Sequence, residues 1–148
     1  MRTRAVTFAV IGAGIAPALL AAQAVDIPKG DPVAVVAVLK TQLASQGFVL
    51  DHASKKEALF SLDRGNVVQN NGMVVHVHLE MHTWFKSKND ALKVTAIEEA
   101  VGQASQGADF RKAIDSPTDV AKLQDLLNYV KTRVVTPDSA AAKRDTTH

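Results

Sequence analysis

Residues 74–84 read Val74-Val75-His76-Val77-His78-Leu79-Glu80-Met81-His82-Thr83-Trp84. A β-strand sends successive side chains to opposite faces. On that period Val75, Val77, Leu79 and Met81 share one face, and His76, His78, Glu80, His82 and Trp84 share the other. A helical period would scatter both sets around the axis, so the pattern predicts a long strand, about 73–85, apolar on one side and polar on the other.

Working outward, Asn70-Asn71-Gly72 is a hairpin signal, because an Asn-Gly pair tolerates the positive backbone angles of a tight turn. Before it, Val67-Val68-Gln69 is expected as a short strand, Asp63-Arg64-Gly65-Asn66 as a turn, and Ala58 to Leu62 and Phe48-Val49-Leu50 as two further strands. After it, Lys86 to Asp90 is a polar turn, and β-branched Val94, Thr95 and Ile97 favour a strand over 91–97. The region 102–107 is expected as a loop and 108–115 as a short helix.

Two segments carry helix starts. Asp31-Pro32 offers an N-cap side chain followed by a proline in the first turn, and Val33, Val36, Leu39 and Leu43, widened by Val35 and Val38, make an apolar stripe closed by Gly47. Ser116-Pro117 with Asp119 three residues beyond the serine repeats that grammar, and Val120, Leu123, Leu127, Val130 and Val134 form the cleaner amphipathic stripe. The predicted fold is therefore α+β: an antiparallel sheet of four or five strands packed against two main helices, about 32–46 and 117–135, leaving the other sheet face uncovered. A single domain is expected over 25–135, with 25–30 as a lead-in and the polar 136–148 as a disordered tail.

The N-terminus, MRTRAVTFAVIGAGIAPALLAAQAVD, has the parts of a secretory signal: Arg2 and Arg4, an apolar run from Val6 to Leu20, and the small-x-small set Ala22-Gln23-Ala24. Pro17 interrupts that run, which is short against the ~20 apolar residues that span a bilayer, so cleavage after Ala24 is expected rather than a retained anchor. The protein is then secreted, extracellular or periplasmic, with no stable membrane insertion after cleavage. The chain has 17 Lys plus Arg against 15 Asp plus Glu, so losing Arg2 and Arg4 leaves the two signs balanced. A balanced charge lacks the basic footprint of a nucleic-acid binder. With no cysteine, the chain also has no disulfide, thiol catalysis or zinc-thiolate site.

Three functional readings follow from the polar face His76, His78, Glu80, His82 and Trp84. The first, reached by elimination, is a small secreted non-enzymatic protein that contacts a protein or other extracellular macromolecule through that face, an effector-like role towards a host or neighbouring cell included; a second copy of the chain is another partner the face can take. The second is a Zn or Cu site built on His76 and His78, since two ligands at i and i+2 of a strand can lean together onto one ion. The whole set cannot share one ion, because His76 and His82 lie roughly 20 Å apart on an extended strand. A third ligand would come from a neighbouring strand, with Asp63, Asp51 and His52 as candidates. The His-x-His spacing resembles the metal strand of cupins, but the glycine ahead of His76 is differently spaced and no second motif follows, so the family is not assigned. The third reading is a small hydrolase or lyase using Glu80 and a histidine as acid and base. No catalytic residue is assigned, because the chain has neither a Gly-x-Ser-x-Gly elbow nor HExxH. Clustered imidazoles would also make the face responsive to mild acid.

Overall fold

Two tight turns fold the alternating strand between its neighbours. The computed structural model describes residues 21–104 and 109–135. In it Gly72 adopts φ +83°, and its amide donates to the Gln69 carbonyl at 2.8 Å, closing the first turn. Asn89 and Asp90, at φ +51° and +63°, make the second, a two-residue loop with both centres left-handed. These turns join β3 (Glu57–Val68), β4 (Val74–Lys88) and β5 (Ala91–Ala104) into a long antiparallel meander.

The sheet is completed by β1 (Gln23–Pro28), β2 (Val49–Ala53) and β6 (Phe110–Ala113), in the order β1-β5-β4-β3-β2. β1 and β6 share the outer edge of β5, β1 pairing with Ala91 to Ala96 and β6 with Glu99 to Gly102. The fold is α+β, and β4 lies at the centre of its sheet.

Helices α1 (Pro32–Ala44) and α2 (Pro117–Val135) cover one face. The Asp31 side chain accepts from the Val33 amide at 3.1 Å, and Pro32 opens α1 as its sequence predicts. At α2 the Ser116 hydroxyl donates to the Asp119 carboxylate at 2.5 Å and accepts from the Asp119 amide at 3.2 Å. Between helices and sheet, Val35, Leu39 and Leu43 of α1 and Leu123, Leu127 and Val130 of α2 meet Phe60, Met81, Phe85, Leu92 and Val94. At about 25 cal/mol per Å² of apolar surface removed from water, this core is the main stabilising term.

Several local expectations are corrected. Of the lead-in at 25–30, Val25 to Pro28 belong to β1, where Ile27 is fully buried against the helices and opposite Leu92. Asp63-Arg64-Gly65-Asn66 is a bulge within one continuous β3, the register shifting between Asp63 and Gly65. Gly65 has φ +77° and its amide is held by Asp63 Oδ1 at 2.7 Å; the residues that favour a turn favour a one-residue bulge for the same reason. Within the expected helix at 108–115, Phe110–Ala113 form the strand β6, which pairs with a free edge of β5 that the sequence does not announce. Gly102 to Ala104 extend β5 instead of starting a loop. In α1 the buried stripe is Val35-Leu39-Leu43, whereas Val33 is 68% exposed, since valines on several sides obscure the phase of the helix. The expected signal segment up to residue 20, the loop residues 105–108 and the tail at 136–148 lie outside the described residues.

Thr83 sits on the helix-covered face between Ala58 and Ala96, fully buried, and its hydroxyl has no hydrogen-bond partner. A buried unpaired hydroxyl costs roughly 1–3 kcal/mol. Thr83→Val keeps the branched shape and removes that cost, so it is expected to stabilise the domain by about 1 kcal/mol and raise Tm by about 4 °C. Thermal unfolding followed by circular dichroism checks this; a lower Tm would mean that the hydroxyl is satisfied.

Candidate functional site

The polar residues of β4 stand on the face away from the two helices, each flanked by partners set by the register. His76 lies between Asn66 and Gln103, His78 between Asp63 and Val101, Glu80 between Ser61 and Glu99, His82 between Leu59 and Ile97, and Trp84 between Glu57 and Thr95. Cross-strand neighbours approach within about 4.5–5.5 Å at Cβ, so each row is a contact.

Carboxylates occupy those rows and pair with the imidazoles. His76 Nε2 is 2.9 Å from Asp63 Oδ1, and its Nδ1 is 2.9 Å from Asn66 Oδ1. His78 Nε2 meets Glu80 Oε1 at 3.0 Å, along the same strand. His82 Nε2 meets Glu57 Oε1 at 2.7 Å, with His52 Nε2 on the other Glu57 oxygen at 3.9 Å. The His82 ring also stacks on Trp84, centroids 4.2 Å apart and planes 24° from parallel.

The centre of the face is held by a cation. Glu80 and Glu99 are directly opposite each other, an unfavourable pairing of like charges on a sheet. Arg111 of β6 reaches between them, its Nη1 donating to Glu80 Oε2 at 2.7 Å and to Glu99 Oε1 at 2.8 Å. Burial on its own pushes the Glu80 carboxyl up, but the Arg111 and His78 hydrogen bonds and charges outweigh it and hold Glu80 below the usual carboxylate range. Glu57 is also held low, chiefly by the His82 hydrogen bond, against some desolvation and with help from the charges of His82 and His52. The Glu80 hydrogen bond, followed by that of Glu99, raises Arg111 in turn, despite partial burial.

The five residues singled out from the sequence thus share one surface, but they are distributed among separate partners. Asp63 is brought to His76 and His52 to Glu57, whereas Asp51 makes no contact with the histidines of β4 among the described residues. Among those residues no group of three or more His, Cys, Asp or Glu is placed to hold a metal ion. His76 presents Nε2 to Asp63 and Nδ1 to Asn66, His78 presents Nε2 to Glu80, and a guanidinium fills the position between Glu80 and Glu99. Glu57, Glu99 and Arg111 escaped the sequence reading. Glu99 had a signal: two adjacent glutamates on a strand must point to opposite faces. Arg111 had none while its segment read as a helix.

The face is not bare along its whole width. Ile97 is only 4% exposed and packs with Ala21 and Ala113 into a small apolar cluster beside β6. On the helix side a cleft of about 490 Å³ opens between β3, β4, β5 and the start of α2. Neither Glu80 nor a histidine lines it, so the acid-base pair of the enzyme reading has no concavity there.

Searches against protein-family models, curated proteins and solved structures find no match for this chain.

Because the Glu80 pKa is lowered in the folded state, its pairing stabilises the fold above the ordinary carboxylate range, and that contribution is lost as pH falls through the folded value. Arg111 is half exposed, which limits the magnitude. Glu80→Gln is expected to cost about 1 kcal/mol at pH 7 and lower Tm by about 4 °C, with the difference closing below about pH 4. Paired melting curves across pH 3–7 would expose a pairing without energetic weight as a constant zero difference.

Proposed function

We propose that the protein is a small secreted, non-enzymatic binding protein that engages a cationic patch on an extracellular protein through the open face of its sheet. An effector-like role towards a host or neighbouring cell is the form this takes if the producer lives in contact with another organism. The observation that carries the reading is the composition of that face. Asp63, Glu57, Glu80 and Glu99 are opposed by Arg111, and four histidines stand among them beside Trp84, which is 39% exposed. The carboxylates outnumber the guanidinium, so the acidic side of the strip favours a basic partner and steers its approach. Exposed tryptophan is enriched among residues that dominate binding energy, and here the His82 stack fixes its ring before any partner arrives.

Secretion rests on the N-terminal pattern. Cleavage after Ala24 would remove Gln23 and Ala24 from β1 and Ala21 from its cluster with Ile97 and Ala113, while keeping the pairs Val25 with Val94 and Ile27 with Leu92. Among the described residues no helix is long and apolar enough to cross a membrane. An intact mass for the protein recovered from the medium of its own cells is expected to begin at Val25; a retained Met1 would remove the secretory half of the proposal.

The attraction is between exposed charges, so added salt is expected to screen it and release a basic partner. The protein, immobilised and exposed to medium from its producer's surroundings, should capture a basic protein at low salt and release it at high salt. Trp84→Ala should weaken that capture by about 30-fold, the loss of roughly 2 kcal/mol typical of a buried aromatic anchor. Retention unaffected by both changes, or turnover of a substrate without any partner, would overturn the reading.

A further inference from the structure

Glu98 is the carboxylate that the open face does not use. It pairs with Met81 in the register and therefore points to the helix-covered side, continuing the series Leu92, Val94, Ala96. Its backbone carbonyl accepts from the Ile114 amide at 2.8 Å, but among the described residues its side chain has neither a hydrogen bond nor an ion pair. It lines the 490 Å³ cleft.

The cleft is mostly polar, a charged rim around a smaller apolar floor. Leu62 and Leu79, a cross-strand pair, and Leu126 of α2 are only half-buried, so apolar surface stays uncovered there; Met81 and Leu123 lie deeper. At the rim Asp119, fixed by its Ser116 hydrogen bond, and Lys122 come from α2, while Arg64 comes from the bulge of β3. The signs at the rim are mixed, and the state of Glu98 decides between them. Burial first, and the charge of Asp119 second, raise its carboxyl above the usual range, against the opposing pull of Arg64 and Lys122. Glu98 thus lines the cleft as a partly buried carboxylate that neither basic residue reaches with a hydrogen bond or an ion pair, among the described residues. A strand glutamate kept on the core side without a partner destabilises the fold in its ionised form, and a cation seated beside it would supply what is missing.

We infer that this cleft binds a small amphipathic cation, an amine or ammonium group on an apolar body, with the positive group at Glu98 and Asp119 and the body on Leu62, Leu79 and Leu126. The volume falls in the range of pockets that enclose small organic ligands. The site is separate from the histidine face, on the opposite side of the sheet, and the two can fail independently.

The test uses three probes of equal length, n-octylammonium, n-octanol and n-octanoate, titrated into the full chain and followed by NMR shifts at Leu79, Leu123 and Leu126. Octylammonium is expected to bind at least tenfold more tightly than octanol, and octanoate more weakly than both. Glu98→Gln should remove that tenfold advantage and leave octanol unchanged. The same substitution should raise Tm at pH 7 and converge with the wild type below about pH 4, because a carboxyl with a raised folded pKa opposes folding only where it is ionised. That melting comparison shows that the variant is folded. Leu126→Trp, which fills the cleft from the helix side, should abolish all three titrations. Octanoate binding as tightly as octylammonium, an ammonium affinity indifferent to Glu98→Gln, or shifts that miss the cleft residues would each overturn the assignment.

Discussion

The alternation of β4 is the constraint on which the molecule depends. A strand of 15 residues, paired on both sides through β3 and β5, commits every second side chain to the helix layer and every other one to the opposite face. A slip of one residue would send Val75, Leu79 and Met81 outward and the histidines into the core, so the burial of the apolar set fixes the register of the meander. The tight turns at Gly72 and at Asn89-Asp90 leave little slack for any other pairing. The cores and sites on both faces inherit their positions from that register.

On the outer face the register creates an electrostatic problem and its solution together. Opposite pairing of Glu80 and Glu99 concentrates negative charge at the middle of the sheet, and the short strand β6 brings Arg111 over it. His76 takes Asp63, His52 and His82 share Glu57, and His78 joins Arg111 on Glu80. This arrangement makes the surface a set of separate acid-base pairs among the described residues. On the inner face the same strand β5 delivers Glu98 to a cleft where apolar side chains are left half covered. Neighbouring glutamates on one strand thus serve opposite sides of the sheet.

Much of the scaffold was legible in the sequence because the deciding signals are local. The caps Asp31 and Ser116, the Asn-Gly turn, the period of β4 and the stripe Leu123-Leu127-Val130 are each written within a few residues. The errors arose where identical local chemistry serves two ends. Asp63-Arg64-Gly65-Asn66 favours a left-handed centre, and a sheet can spend that on a bulge as well as on a turn. Val25 to Pro28 and Phe110 to Ala113 carry weak local preference, and the free edge of β5 turned them into strands.

For the site, the sequence by itself determined which side chains share the polar face of β4, because the two-residue period is a property of the strand alone. It could not determine what stands opposite them. The pairing of His76 with Asp63, of His82 with Glu57 and of Glu80 with Arg111 joins residues far apart in the chain, and such contacts exist only once strand order and register are set. The tertiary structure also decided that Glu98 faces inward and Glu99 outward. Alternation requires that one of the two point each way, but only the docking of α1 and α2 determines which face of the sheet is the inside.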